Sequence, residues 1–183
     1  MHLLLSIIST LSLIAFIVWQ LSNAINSVRA TSDNLGGIGT KLRRLIRQRQ
    51  HQSNPLGTIE DPREAALALM VAVMKDRGDL TEQQINDLEH WAEHRLNFTN
   101  PQDMVALARW LVRDYVESGA VLQRVAKPMA RACNGEQRAD IIDLTTQAAK
   151  SGHNKPTKLQ AHTIKELKYK FGDLSQDVLV THN

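Results

Sequence analysis

The chain has 183 residues and is 43% hydrophobic but only 4% aromatic, which allows one folded domain with appendages and requires an aliphatic core. Its single cysteine, Cys133, excludes an internal disulfide, is typical of a reducing compartment and is predicted to be a buried structural thiol. The formal net charge of +3 conceals a segregation, because the segments before residue 61 and after residue 154 are basic and the segment between them has an acidic excess.

The first predicted element is a transmembrane helix over residues 3–21, within an anchor that covers residues 1–24. The segment carries no charge and is just long enough to cross a hydrocarbon core, with Trp19 at its interface. The alternative is a signal peptide cleaved after Ala24, which would release a secreted helical protein. An uncleaved anchor is favoured because the apolar run is long and no Lys or Arg precedes it.

A basic juxtamembrane linker is predicted over residues 25–60. Its cationic cluster follows the predicted span, so the positive-inside rule places the N-terminus outside and the C-terminal bulk in the cytoplasm. The cluster is either a membrane-surface site for anionic headgroups or a topology signal alone. Nucleic-acid binding is disfavoured because no aromatic residue interleaves the cations. The membrane-surface candidates are Lys41, Arg43, Arg44, Arg47 and Arg49.

Residues 61–85 predict two helices in a hairpin at the centre of a helical domain. Asp61 and Pro62 are typical of a helix start, and Glu64 stands where a capping box needs an acid. Residues 65–74 are apolar on every side, which predicts a helix surrounded by others. This helix is too short to cross a bilayer.

A turn follows the first helix, and its residues carry a family resemblance. Gly78 is available for a left-handed position, and Thr81 with Gln84 predicts a capping box. The sequence Lys-Asp-Arg-Gly-Asp-Leu-Thr-Glu at residues 75–82 resembles the tellurite-resistance TerB-like family, whose turn usually has Ala-Asp-Gly, an acidic residue, a Leu and a Glu-rich helix start. A similar unit recurs at residues 132–136.

The resemblance covers residues 61–152 and implies an all-α fold, a TerB-like multi-helix bundle behind the single transmembrane helix. Arg77 and Asn134 occupy the places of the family's two usual aspartates, and Gln84 that of a usual glutamate. Those acids are the family's proposed metal-binding groups. A hard cation prefers several oxygen ligands, and Arg77 would oppose it.

Three more helices are predicted within residues 61–152. The third begins at Asn100 and Pro101 and ends near residues 118–119, the fourth precedes a turn at residues 134–135, and the fifth covers residues 140–149. The segment 153–183 is a linker followed by a basic helix, which either docks on the domain or is an interaction tail. Docking is favoured because Leu159, Leu167 and Phe171 share one face.

Residues 90–94 match H-x-x-E-H, the motif of the inverzincin metalloproteases. Histidines four apart on a helix can share a zinc ion while the glutamate activates water. The match is interpreted as coincidental, because those enzymes use a large mixed α/β domain and these histidines lie opposite the apolar helix face. The weak metal candidates are Asp76, Asp79, Glu82, His90 and His94.

These features predict a membrane-anchored TerB-like protein-interaction or scaffold module at the cytoplasmic face of a bacterial inner membrane, with a stress-linked role implied by the resemblance. Similar domains occur behind an anchor in DnaJ-like co-chaperones, although no His-Pro-Asp motif is present here. The expected partners are the lipid bilayer and another protein, without nucleic acid, and no enzymatic activity or cofactor is expected. The alternative is a metal-binding or metal-sensing protein that uses the acidic turn or the His90 and His94 face.

Overall fold

The computed structural model describes residues 54–180, with side chains through residue 172, and also Arg44, Ile46, Gln48 and Arg49. Between residues 54 and 180 all regular structure is helical, which confirms the all-α prediction for this part of the chain. A short 3-10 helix at Pro55–Thr58 is followed by α1 (Pro62–Lys75), α2 (Glu82–His94), α3 (Pro101–Leu111), α4 (Ser118–Ala132), α5 (Gly135–Lys150) and α6 (Lys158–Val180).

The predicted membrane anchor, residues 1–24, lies outside the described residues. Within the described part, no helix has both the length and the apolar character needed to cross a bilayer. Three cations of the predicted membrane-surface cluster, Lys41, Arg43 and Arg47, also lie outside the described residues. Arg44 is in a helical conformation and exposed to solvent.

The central element is α1, which packs against α3, α4 and α5 and also contacts α2. Every residue from Glu64 to Met74 is buried, as its apolar character on all sides predicts. The helix begins as expected, because the Asp61 carboxylate accepts a hydrogen bond of 2.9 Å from the Arg63 N–H. Glu64 does not complete a capping box and instead pairs with Arg49.

The turn into α2 also has the predicted conformation. Gly78 has φ of 126°, which a residue with a Cβ adopts only with strain, and Thr81 and Gln84 form the predicted capping box. The second unit of the proposed repeat differs, since Gly135 is already the first residue of α5 and Asn134 caps that helix. The two glycine units therefore have different backbone geometries.

Two predicted boundaries are wrong. Ser118 was expected to end the third helix, but α3 ends at Leu111 and Ser118 begins α4. The fifth helix was expected from Asp140, but it begins at Gly135 because the side chains of Asn134 and Gln137 form a capping box there. At the start of α3, Pro101 holds the first position as predicted, whereas the Asn100 side chain makes no capping hydrogen bond.

The last helix, α6, packs against α4 and α5, so the favoured docking alternative is confirmed. Leu167 and Phe171 are buried, and Leu159 is partly buried. The Arg138 guanidinium of α5 donates a 3.3 Å hydrogen bond to the Phe171 carbonyl and another to the Ala130 carbonyl of α4. The packed body of the protein therefore includes α6.

Candidate functional site

Asp76, the first acid of the predicted metal turn, connects the end of α1 to the start of α4. Its carboxylate accepts a 2.9 Å hydrogen bond from the Ser118 N–H and a second bond from the Ser118 hydroxyl. The Ser118 and Thr163 hydroxyls lie 2.7 Å apart in the buried contact between α4 and α6. Because Glu117 provides no side-chain cap, Asp76 caps α4 from a distant part of the sequence.

Arg77, which the family resemblance would align with an aspartate, connects the same turn to α6 through hydrogen bonds. Its Nε donates a 3.2 Å hydrogen bond to the Gln160 side-chain oxygen, and its guanidinium also donates to the Lys155 carbonyl. The Gln160 amide donates 2.8 Å to the Val73 carbonyl near the end of α1. The turn residues Asp76 and Arg77 are thus joined to α4 and α6 by structural hydrogen bonds.

The other two acids of the turn, Asp79 and Glu82, are exposed, and Glu82 lies in the first turn of α2. There its negative charge interacts favourably with the positive end of the helix dipole. The Asp76 carboxylate is engaged by α4, and across the described residues no three His, Cys, Asp or Glu side chains form a group suited to a metal ion. A divalent-metal role for this turn stays a prediction.

His90 and His94 lie together on the exposed side of α2. Their rings are stacked with centroids 4.3 Å apart, and the His94 Nδ1 lies 3.0 Å from the His90 carbonyl oxygen of the preceding turn. Glu93 is exposed beside them. Asp87, which shares this helix face, accepts hydrogen bonds from Gln83 and Ser151. This is a solvated helix surface and not a water-excluding protease centre.

Cys133 is buried at the end of α4. Burial raises the pKa of its thiol, while the nearby Arg138 charge lowers it to a smaller extent. A thiol held in its protonated form is a poor nucleophile and a poor metal ligand. This placement agrees with the predicted structural role.

The structural role of Asp76 gives a direct prediction. Asp76→Ala removes the cap of α4 and leaves the buried Ser118 hydroxyl without its carboxylate partner, so we expect the free energy of unfolding to fall by about 1–2 kcal/mol. Asp79→Ala, an equal change at an exposed site in the same turn, should alter it by less than about 0.5 kcal/mol. Denaturant unfolding followed by circular dichroism measures both, and equal effects would contradict the assignment.

The Asp76 carboxylate also predicts how the stability of the protein depends on pH. Partial burial raises the pKa of Asp76 above its ordinary value, and the Ser118 hydrogen bonds only partly oppose this. A raised folded-state pKa favours folding below the unfolded-state pKa, and the contribution is lost as pH rises through the folded-state pKa. Between about pH 6 and about pH 3, the stability of the natural protein should therefore rise relative to Asp76→Asn, which does not titrate. Unfolding curves at matched pH values check the direction.

Arg49 is predicted to lie at the membrane surface, but in the structure it packs against the folded body. Its guanidinium pairs with the Glu64 carboxylate at the start of α1, and the two side chains are only 14% and 9% exposed. Burial of a charged carboxylate is costly without such a partner, which explains the inward position of the arginine. Sequence alone gave no signal for this pair, because Glu64 also fits a capping box.

A cleft of about 640 Å³ adjoins this ion pair. It lies between the 3-10 helix and the start of α1, and its walls contain three acidic side chains and one basic side chain, that of Arg49. Its lining residues are Gln48, Arg49, Gly57, Thr58, Ile59, Glu60, Asp61 and Glu64. The Arg49 and Glu64 charges satisfy each other, so the cleft presents no assembled catalytic pair.

The helices α2 and α5 both carry acidic side chains that are exposed or partly exposed. Arg95, at the end of α2, forms ion pairs with Asp140 and Asp143 of α5. At the other end, the Ser151 hydroxyl donates 2.7 Å to Asp87, and the Gln84 amide donates 3.2 Å to the Ser151 carbonyl. These side-chain contacts link the end of α2 to the start of α5 and the start of α2 to the end of α5. We define the acidic face as Glu82, Glu89, Glu93, Glu136, Asp140 and Asp143.

The acidic face was only partly foreseen from sequence. The acidic excess between residues 61 and 152 was evident, but the pairing of Arg95 with Asp140 and the bond from Ser151 to Asp87 join residues far apart in the chain. No local sequence pattern predicts contacts between residues so far apart in the chain.

No protein-family model matches this chain, and comparisons with curated proteins and with solved structures find no significant match.

Proposed function

We propose that this protein is a membrane-anchored helical scaffold that binds a protein partner through the acidic face. In this proposal residues 3–21 span a bacterial inner membrane, and the TerB-like body lies on the cytoplasmic side in a stress-linked role. Support for the anchor comes from its charge-free apolar sequence and the basic cluster that follows it. Support for a binding role comes from the acidic face that the folded body exposes.

The observation that carries the proposal is the rigid presentation of carboxylates by two braced helices. Arg95 and Ser151 link α2 to α5 at both ends, so the helices that carry the exposed acids Glu82, Glu93 and Glu136 need little rearrangement when a partner binds. Buried side-chain polar atoms in the described part of the chain all have hydrogen-bond partners, which is typical of a native folded core. A surface of this sign fits a partner that is rich in Lys and Arg.

Site-specific photo-crosslinking in cells tests the proposal. A photoreactive residue replaces Asn86, which is exposed on α2, and in the control protein it replaces Gln123, which is exposed on α4. We expect the first protein to form a defined adduct in the membrane fraction that the second lacks. The combined Glu82→Lys and Glu93→Lys changes should reduce this adduct at least about tenfold, because like charges then face the partner.

Two results would contradict the proposal. An adduct at residue 86 that survives the charge reversal would remove the acidic face as the binding surface. Extraction of the full chain from membranes by alkaline carbonate would remove the anchor, because a spanning helix resists that treatment. Mass spectrometry of the adduct, together with the charge of the crosslinked peptide, identifies the partner's class.

A further inference from the structure

The outer surface of α4 is strongly basic. Arg124, Lys127 and Arg131 recur at helical spacing along its exposed side, and the α4 sequence contains no Asp or Glu. The opposite side of the same helix buries Val121, Val125 and other apolar residues against α1 and α6. The three cations thus form one stripe that points away from the body.

A second basic stripe lies on α6, which packs directly against α4. Lys158, Lys165 and Lys168 are exposed along it, and the one acid between residues 158 and 172, Glu166, is only partly exposed. Tyr169 follows Lys168 and is 66% exposed, which is unusual for a large side chain in this body. Packed helices lie about 8–10 Å apart, so the two stripes belong to adjacent elements of the body.

These cations lack compensation within the folded body. In the described part of the chain no salt bridge includes any of the six, whereas Arg49, Arg63, Arg95 and Arg113 each pair with Asp or Glu. Uncompensated charges of one sign repel each other and produce a positive potential that attracts an anionic surface. We define the basic face as Arg124, Lys127, Arg131, Lys158, Lys165 and Lys168.

We propose that the basic face docks the folded body flat against an anionic lipid bilayer. The inference rests on the proposed anchor, which would keep the body close enough to the membrane for many weak contacts to act together. An exposed tyrosine beside lysines suits the interface, where the ring meets the acyl boundary and the hydroxyl stays hydrated. The 3-10 helix packs on α4, the helix that carries Arg124, Lys127 and Arg131.

A bilayer fits the basic face better than other anionic partners do. The cations are spread over two helices instead of lining a groove, and the cleft beside Arg49 is acidic. Single-stranded nucleic-acid sites combine a basic groove with several stacking aromatics, but Tyr169 is the one strongly exposed aromatic side chain among the described residues. With the basic face on the bilayer, α2, whose main contacts are with α3 and α1, remains open to a partner.

The test uses the full chain in lipid nanodiscs with one fluorophore. In a Cys133→Ala background, Ala161→Cys places the label on the α6 stripe, and Ala139→Cys places it on α5 as the matched control. Lipids with nitroxide headgroups quench a label that lies at the bilayer surface. In discs of phosphatidylcholine and phosphatidylglycerol we expect at least about twofold stronger quenching at residue 161 than at 139, and no difference in phosphatidylcholine alone. Added salt should remove the difference.

Charge reversal provides the second arm. The Lys127→Glu and Lys165→Glu pair should abolish the extra quenching at residue 161. The Arg113→Glu and Lys150→Glu pair changes the net charge equally at exposed positions outside the basic face and should preserve it. Circular dichroism confirms that both pairs fold.

Several outcomes would overturn the inference. Equal quenching at both labels in anionic discs excludes docking through this face, and so does quenching that survives the Lys127 and Lys165 reversal. A label at residue 161 that responds to an added oligonucleotide but not to anionic lipid assigns the face to nucleic acid instead. If the chain does not enter discs of either composition, the anchor fails. Sedimentation with vesicles of the same two compositions then tests the face separately.

Discussion

Leu69→Ala is expected to lower the free energy of unfolding by about 2–5 kcal/mol, the largest loss among the substitutions we consider. Leu69 lies in the middle of α1 and is 0% exposed, with neighbouring helices on every side. Truncation removes buried apolar contacts and leaves a cavity that a helix held on all sides cannot easily close. Chemical denaturation of the full chain in a mild detergent, followed by far-ultraviolet circular dichroism, measures the loss.

Val116→Ala is the control for this prediction. Val116 lies between α3 and α4 and is 89% exposed, so removal of its methyl groups should change stability by less than about 0.5 kcal/mol. A small effect at Leu69, comparable with that at Val116, would show that α1 is not at the centre of the bundle.

Gln160→Ala should produce the second largest loss, about 2–4 kcal/mol. The Gln160 side chain is almost fully buried, donates to the Val73 carbonyl at 2.8 Å and accepts from the Thr157 N–H at 2.8 Å. It also accepts from Arg77. The variant leaves these groups without partners and opens space between α1 and α6, and each unsatisfied buried group costs about 1–3 kcal/mol.

Gln123→Ala is the same chemical change at an exposed position of α4 and should be nearly neutral. The two variants are compared by denaturation under identical conditions. Hydrogen exchange adds a local readout, because loss of Gln160 should speed exchange at the end of α1 and the start of α6 more than in α2. Uniform acceleration across all helices would mean that Gln160 does not join these two elements specifically.

Local chemistry made much of the fold predictable. The Asp61 cap, the Thr81 and Gln84 capping box and the φ of Gly78 each depend on a few neighbouring residues, and the structure has all three. The burial of α1 followed from composition alone, since a helix that is apolar on every side must be surrounded.

The errors have a common physical origin in contacts between distant residues. Ser118 resembles a helix end in the sequence, yet it begins α4 because Asp76 supplies the missing cap across the bundle. Glu64 fits a local capping box, yet Arg49 takes its carboxylate. In both cases a partner remote in sequence outcompetes the local one, and periodicity does not encode remote partners.

The candidate surfaces were predictable in charge but not in shape. Sequence showed the acidic excess of the central segment and the lysines after residue 154. Only the packing of α4 on α6 places the helix that carries Arg124 and Lys127 next to the helix that carries those lysines, and only the tertiary fold pairs Arg95 of α2 with Asp140 of α5. The predicted metal residues followed short motifs, whereas hydrogen bonds from Ser118 engage the carboxylate of Asp76.

The position of α6 in the chain has a consequence for biosynthesis. Gln160 and Thr163, which complete the ends of α1 and α4, leave the ribosome after all five other helices of the body. Until they emerge, the nascent bundle exposes the apolar surface of α4 and α5 that later covers Leu167 and Phe171. We therefore expect a nascent chain stalled before α6 to expose apolar surface that chaperones and proteases recognise.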